Sequence, residues 1–218
     1  HNTVENLLEI QNNIKIYLDK LNIKNVPKIV AVSKTFKIEK ILPLIEHGHV
    51  DYGENKVQEA LEKWSEIKEN NSKIKLHMIG KLQTNKVKFA VRIFDYIHSV
   101  DSEKLAKKIA DEQNKINKKI KIFLQVNIGE ENQKSGINKN NLNNLISYSK
   151  AIGLDLIGLM CIPPANINSE KYFEEMNMLN KAQGFSELSM GMSSDYLIAT
   201  KNSATFVRVG SGIFGNRS

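Results

Sequence analysis

The chain has 218 residues, 41% of them hydrophobic and 25% charged, and its 31 basic and 24 acidic side chains give a formal net charge of +7. A chain of this length buries about 70% of the surface its unfolded form would expose, so one compact domain over 1–218 needs neither disulfides nor a structural metal. Its lone cysteine, Cys161, excludes an internal disulfide and any zinc site built from several thiolates, and fits a reducing compartment, so the expected address is the cytoplasm.

An amphipathic helix near residues 3 to 22 opens the chain. Beyond it, short apolar runs alternate with longer helical patterns. The predicted strands run from Lys28 to Ser33, His49 to Gly53, Lys75 to Gly80, Phe94 to Ser99, Lys121 to Ile128, Leu154 to Ile162, Ser186 to Met192 and Thr205 to Val209. Helical stretches join them near 37 to 48, 55 to 69, 84 to 92, 102 to 118, 138 to 152, 169 to 183 and 194 to 202. This alternation is the pattern of βα units. Runs such as Ile29 to Val32 and Ile122 to Val126 are continuously hydrophobic, as strands covered on both faces are, which implies a parallel sheet. Eight units favour closure into a single (β/α)8 TIM-type barrel over an open doubly wound sheet. The Asn-rich stretch from Gly129 to Asn144 reads as a loop running into a helix.

No run approaches the roughly 18 apolar residues of a membrane span, and the first thirty residues lack the apolar core of a signal peptide. The basic charge does not point to nucleic acid either. Only Arg92, Arg208 and Arg217 are arginine, the residue on which base readout leans. The densest lysine run, from Lys104 to Lys121, alternates with Leu105, Ile109 and Ile116 and reads as a solvated helix face.

In such a barrel, chemistry sits at the C-terminal ends of the strands. The polar residues there include Lys34, Glu54, Asn55, His77, Lys81, Asp101, Asn127, Ser193 and the run from Arg208 to Gly215. They are mostly amines, amides, hydroxyls and a guanidinium, with no cluster of carboxylates or histidines. Of the histidines only His47 and His49 lie close in sequence, at a helix-to-strand turn, so no metal site is expected. There is no Gly-x-Ser-x-Gly elbow, and Cys161 reads as an inert core thiol.

Gly210-Ser211-Gly212-Ile213-Phe214-Gly215 has the spacing of a dinucleotide fingerprint but lacks the following helix, strand and acidic residue. Its glycines still permit close approach of an oxyanion, and the loops after strands seven and eight are the usual seat of a phosphate in barrels. Ser193 and Gly210-Ser211 occupy those two ends; glycines that only close the last turn are the plainer alternative. Lys34 follows strand one, which in a closed barrel lies beside strand eight. A buried amine there would face the cradle and Arg208, and desolvation and the guanidinium would both lower its pKa, as condensation with an aldehyde requires. An amine, a phosphate cradle and an arginine for a ring nitrogen describe a site for pyridoxal 5′-phosphate (PLP).

Seven segments, in order over nearly the whole chain, resemble the pyridoxal phosphate homeostasis proteins, a family with an alanine-racemase N-terminal-domain-like barrel. They are AVSKT from Ala31, YGENKVQEA from Tyr52, HMIGKLQTNK from His77, VNIGEENQKSGI from Val126, GLMCIPP from Gly158, SMGMSSD from Ser189 and VRVGSGIFG from Val207. The resemblance implies that Lys34 forms the internal aldimine with PLP, that Ser193, Gly210 and Ser211 hold its phosphate, that Arg208 faces the pyridine nitrogen and that Asn55 lines the pocket. For His77 it leaves contact with cofactor, ordering of a loop and core packing as alternatives. It further implies a monomeric carrier that supports vitamin B6 and amino-acid balance, with PLP-dependent apo-enzymes as recipients and without turnover. The alternative is a PLP-dependent amino-acid racemase or lyase; alanine racemases add a second β domain with a tyrosine acid/base, and this sequence ends just past strand eight. Three departures from the family pattern stand out. Ser211 replaces the usual threonine, Asn202-Ser203 replaces a turn where glycine is common, and the stretch between Phe173 and Leu188 is about two turns shorter.

Overall fold

The computed structural model describes residues 2–132, 135–165 and 167–216. Its elements alternate as α1 (Thr3–Leu21), β1 (Lys28–Val32), α2 (Ile38–His47), β2 (Asp51–Glu54), α3 (Val57–Asn70), β3 (Lys75–Met78), α4 (Val87–Ile93), β4 (Tyr96–Val100) and α5 (Glu103–Lys115). They continue as β5 (Lys121–Gln125), α6 (Lys139–Ala151), β6 (Asp155–Met160), α7 (Glu170–Ala182), β7 (Glu187–Ser189), α8 (Tyr196–Lys201), β8 (Phe206–Val209) and α9 (Ser211–Phe214). Every strand runs parallel to the next, and β8 returns to β1, setting Val30 opposite Arg208, so the sheet closes into an eight-stranded barrel.

The local reasons are visible in α1. Asn2 caps it by accepting the Glu5 N–H at 3.2 Å, and Asn22 ends it in the left-handed region at φ 61°. Between them Leu7, Ile10, Ile14 and Leu18 recur every three or four residues and are all buried, each contributing about 1.5–3 kcal/mol. The strands divide their side chains between two cores. Ile29 and Ala31 of β1 pack outward against the helices, whereas Val30 joins Tyr96, Phe123, Met160 and Phe206 in a separate cluster inside the barrel.

The structure trims several predicted elements. β5 stops at Gln125, after which Val126 N–H still donates to Met160 O at 2.8 Å and the residue forms an isolated bridge to Ile137. β7 is three residues long because Gly191, at φ 100°, turns the chain into a loop. α5 ends at Lys115, so Leu105 and Ile109 are buried while Ile116 is exposed. The stretch predicted as a helix near 84 to 92 begins as a 3₁₀ turn at Thr84–Lys86. Sequence reasoning missed α9, whose single turn starts inside the glycine string. Ser203, at the turn where the resembling family favours glycine, holds φ 76°. No described helix is long and apolar enough to cross a membrane.

Candidate functional site

A cavity of about 900 Å³ opens at the C-terminal ends of the strands, and all six predicted site residues line it: Lys34, Asn55, Ser193, Arg208, Gly210 and Ser211. Three cations, Lys34, Lys81 and Arg208, share its described lining with side-chain amides that include Asn55, Gln125 and Asn127 and hydroxyls that include Ser193 and Ser211. Among the described lining residues there is no carboxylate, histidine or tyrosine. Such a surface attracts an anion and offers it donors.

One end of the cavity is built by the loops after β7 and β8. Gly212 N–H donates to Ser193 Oγ at 3.1 Å and ties the two loops together. A Cβ at Gly212 would stand 2.9 Å from Val209 and 3.3 Å from Ser193 Oγ, so glycine is needed for this approach. Asp195 shapes the β7 side, accepting from Met192 N–H at 2.8 Å and from Ser169 Oγ at 3.0 Å. Across the mouth, a Cβ on Gly80 would stand 2.8 Å from the Asn55 side chain, so the glycine after β3 lets Asn55 lie over it.

Lys34 sits in a turn held from outside the barrel wall. Ser33 Oγ donates to Glu54 Oε2 at 2.5 Å, Lys63 Nζ donates to Ser33 O at 2.8 Å, and Thr35 N–H donates to Glu59 Oε2 at 2.6 Å. Lys63 also bridges Glu54 at 3.0 Å and Glu59 at 2.9 Å, while Trp64 Nε1 donates to Glu54 Oε2 at 3.0 Å. Burial pushes the Glu54 carboxyl up, against the pull of Lys63, Ser33 and Trp64. Thr35 pays for the turn with φ 68°, a rare conformation for a β-branched residue. The Glu59 and Lys63 spacing of four on a helix was visible in the sequence; its connection to Lys34 was not.

Arg208 is buried, and each terminal nitrogen has an acceptor: Nη1 donates to Ser189 Oγ at 2.6 Å and Nη2 to Cys161 O at 3.0 Å. Burial lowers it to about 10, so it remains a cation at neutral pH. The Cys161 thiol is buried and pushed up to about 12, which keeps it a neutral, unreactive thiol. His77, left open by the sequence, is not among the described lining residues; it is buried and stacks on Tyr96 inside the barrel at 4.2 Å.

The chain matches the family described as "Alanine racemase, N-terminal domain" over residues 6–218. It is 32% identical to a pyridoxal phosphate homeostasis protein of Pasteurella multocida, covering 98% of this chain and 97% of that one. It is 36% identical to the protein of the same name from Aquifex aeolicus, covering 89% of each. Among solved structures, PipY of Synechococcus elongatus with PLP bound superposes with a TM-score of 0.80 at 31% identity, over 93% of this chain and all of that one. Alanine racemase of Clostridium difficile shares the fold alone, with a TM-score of 0.74 at 17% identity over 99% of this chain and 57% of that one.

Proposed function

The chain belongs to the pyridoxal phosphate homeostasis protein family, and we propose that it binds PLP in the cavity at the C-terminal mouth and holds it for delivery without turning over a substrate. The observation that carries this reading is the cationic cavity, without a carboxylate among its described lining residues, that joins Lys34, Arg208 and the Ser193, Gly210 and Ser211 loops. The hydroxyls and glycine backbone of those loops fit a phosphate, and Lys34 is the amine for the cofactor's aldehyde. Arg208 would meet the ring nitrogen, and Asn55 would line the ring. When bound, PLP supplies an aldehyde that condenses with amines and can draw electrons from them.

The residues themselves argue against turnover. Arg208 stays charged at neutral pH, and a cation beside a ring nitrogen disfavours its protonation and so weakens electron withdrawal. The described lining offers no tyrosine, histidine or carboxylate to serve as a second acid/base opposite Lys34. On this reading the protein acts as a monomer in the cytoplasm, and PLP-dependent apo-enzymes are its recipients. The runner-up, a PLP-dependent amino-acid racemase or lyase, draws on the fold shared with the Clostridium difficile alanine racemase.

Titration with PLP should give one saturable visible band per chain, lost in Lys34→Ala. Incubation with amino acids should give no racemisation or decarboxylation above that of free PLP. Turnover abolished by Lys34→Ala would select the enzyme, and absence of saturable binding would overturn the cofactor reading.

A further inference from the structure

A hydrogen-bonded chain runs through the inside of the barrel, and Arg208 is its only member that lines the cavity. From Arg208 Nη1 it passes to Ser189 Oγ at 2.6 Å, then to His98 Nδ1 at 2.8 Å, from His98 Nε2 to His77 Nδ1 at 2.8 Å, and from His77 Nε2 to Asp51 Oδ1 at 2.8 Å. Asp51 lines a separate cavity near the opposite end of the strands, so the chain spans most of the barrel's depth.

Chemistry fixes the direction of every bond. Burial pulls both imidazoles down, His98 well below its ordinary value with His77 and Arg208 adding to the effect, so both are neutral near pH 7. Arg208 has only donors, so Ser189 Oγ accepts from it, and the rest of the order is set from the other end, where the Asp51 carboxylate oxygen takes the His77 Nε2 proton and leaves Ser189 to give its single proton to His98 Nδ1. His98 then carries its proton on Nε2 and donates to His77 Nδ1, and His77 in turn donates from Nε2 to Asp51. The reverse order would set the bare His77 Nε2 against a carboxylate oxygen. The rings are also held by their faces: His77 stacks on Tyr96 and His98 on Phe123, with centroids 4.2 and 4.4 Å apart, and Phe206 lies against both histidines.

We propose that Ser189, His98, His77 and Asp51 are positioning residues for Arg208, a one-way chain that keeps the Ser189 hydroxyl turned as an acceptor and so fixes the plane of the guanidinium in the cavity. The identity of the ligand that meets Arg208 rests on the PLP reading; the orientation of Arg208 does not. An apolar filling would close the barrel interior without five polar groups that must all be paired, and a partly satisfied network is costly. The chain reaches the cavity solely through the guanidinium, and that is where its effect should be read.

The test is nitrogen NMR on the protein without PLP, followed by PLP titration. His77 and His98 should both appear as neutral Nε2–H tautomers near pH 7, and the Arg208 Nη protons should give resolved signals that reflect hindered rotation. In Ser189→Ala the Arg208 signals should merge and PLP affinity should fall about tenfold with a shifted visible band. His98→Asn, which keeps an acceptor near the Nδ1 position, should restore more of both properties than His98→Phe. Opposite tautomers, an averaged Arg208 signal in the unaltered protein, or an unchanged Arg208 signal in Ser189→Ala would overturn the proposal. Failure of the unaltered protein to bind PLP would overturn the cofactor reading instead and leave the NMR results to decide the chain.

Discussion

Lys34 and Arg208 line the same cavity, yet the barrel positions them by opposite means. The turn carrying Lys34 is clamped from the helical layer by ionic groups, with Lys63 and Glu54 almost fully withdrawn from water. Arg208 is held from the interior by neutral groups, one hydroxyl and two imidazoles in a run that meets a carboxylate only at Asp51. A buried ion pair punishes the loss of one partner by stranding a charge, whereas a neutral chain strands only dipoles. The first clamp is therefore the more brittle.

The largest effect should come from Lys63→Met, which leaves Glu54 buried without its cation. Urea unfolding should show a loss of about 3–5 kcal/mol, and a loss under 1 kcal/mol would remove the claimed asymmetry. Breaking the interior chain with His98→Phe keeps the stacking surface but leaves neutral donors and acceptors unpaired, at a cost of about 1–3 kcal/mol in the same assay.

Acid sharpens the contrast. The native pKa values of His77 and His98 are depressed by burial from 6.5, so the unfolded chain takes up protons that the native one refuses. Their contribution is complete above 6.5 and is lost as pH falls toward the depressed native values. His49 adds in the same direction, and the raised Glu54 opposes it. His98→Phe removes one such group, so its loss of stability between about pH 7.5 and about pH 5.5 should be smaller than that of the unaltered protein, by on the order of 1 kcal/mol. The smallest effect belongs to the strained turn. Thr35→Gly relieves a left-handed β-branched residue but adds freedom to the unfolded chain, and should shift stability upward by at most about 1 kcal/mol.

The barrel was legible because its outer layer obeys simple periods. Leu7, Ile10, Ile14 and Leu18 mark a helix face, and Ile29 to Val32 mark a strand covered on both sides. The positions lining the cavity were legible because strand ends can be counted. What holds them was not, since each clamp depends on contacts between elements far apart in sequence. Ser189 and His98 are separated by 91 residues and meet only when the barrel closes. Their one sequence signal was weak: His77 and His98 each stand between apolar neighbours in a strand, and a single such histidine reads equally well as core packing. Asn202-Ser203, flagged as an unusual turn, shows its physical cost in the positive φ of Ser203.

Lys34 is proposed as the amine of a PLP site that it shares with Arg208. Borohydride reduction of the protein mixed with one equivalent of PLP, followed by peptide mapping, tests it most directly. A single adduct on Lys34 is the expected result. Adducts scattered over surface lysines, or a single adduct on Lys81, would contradict it.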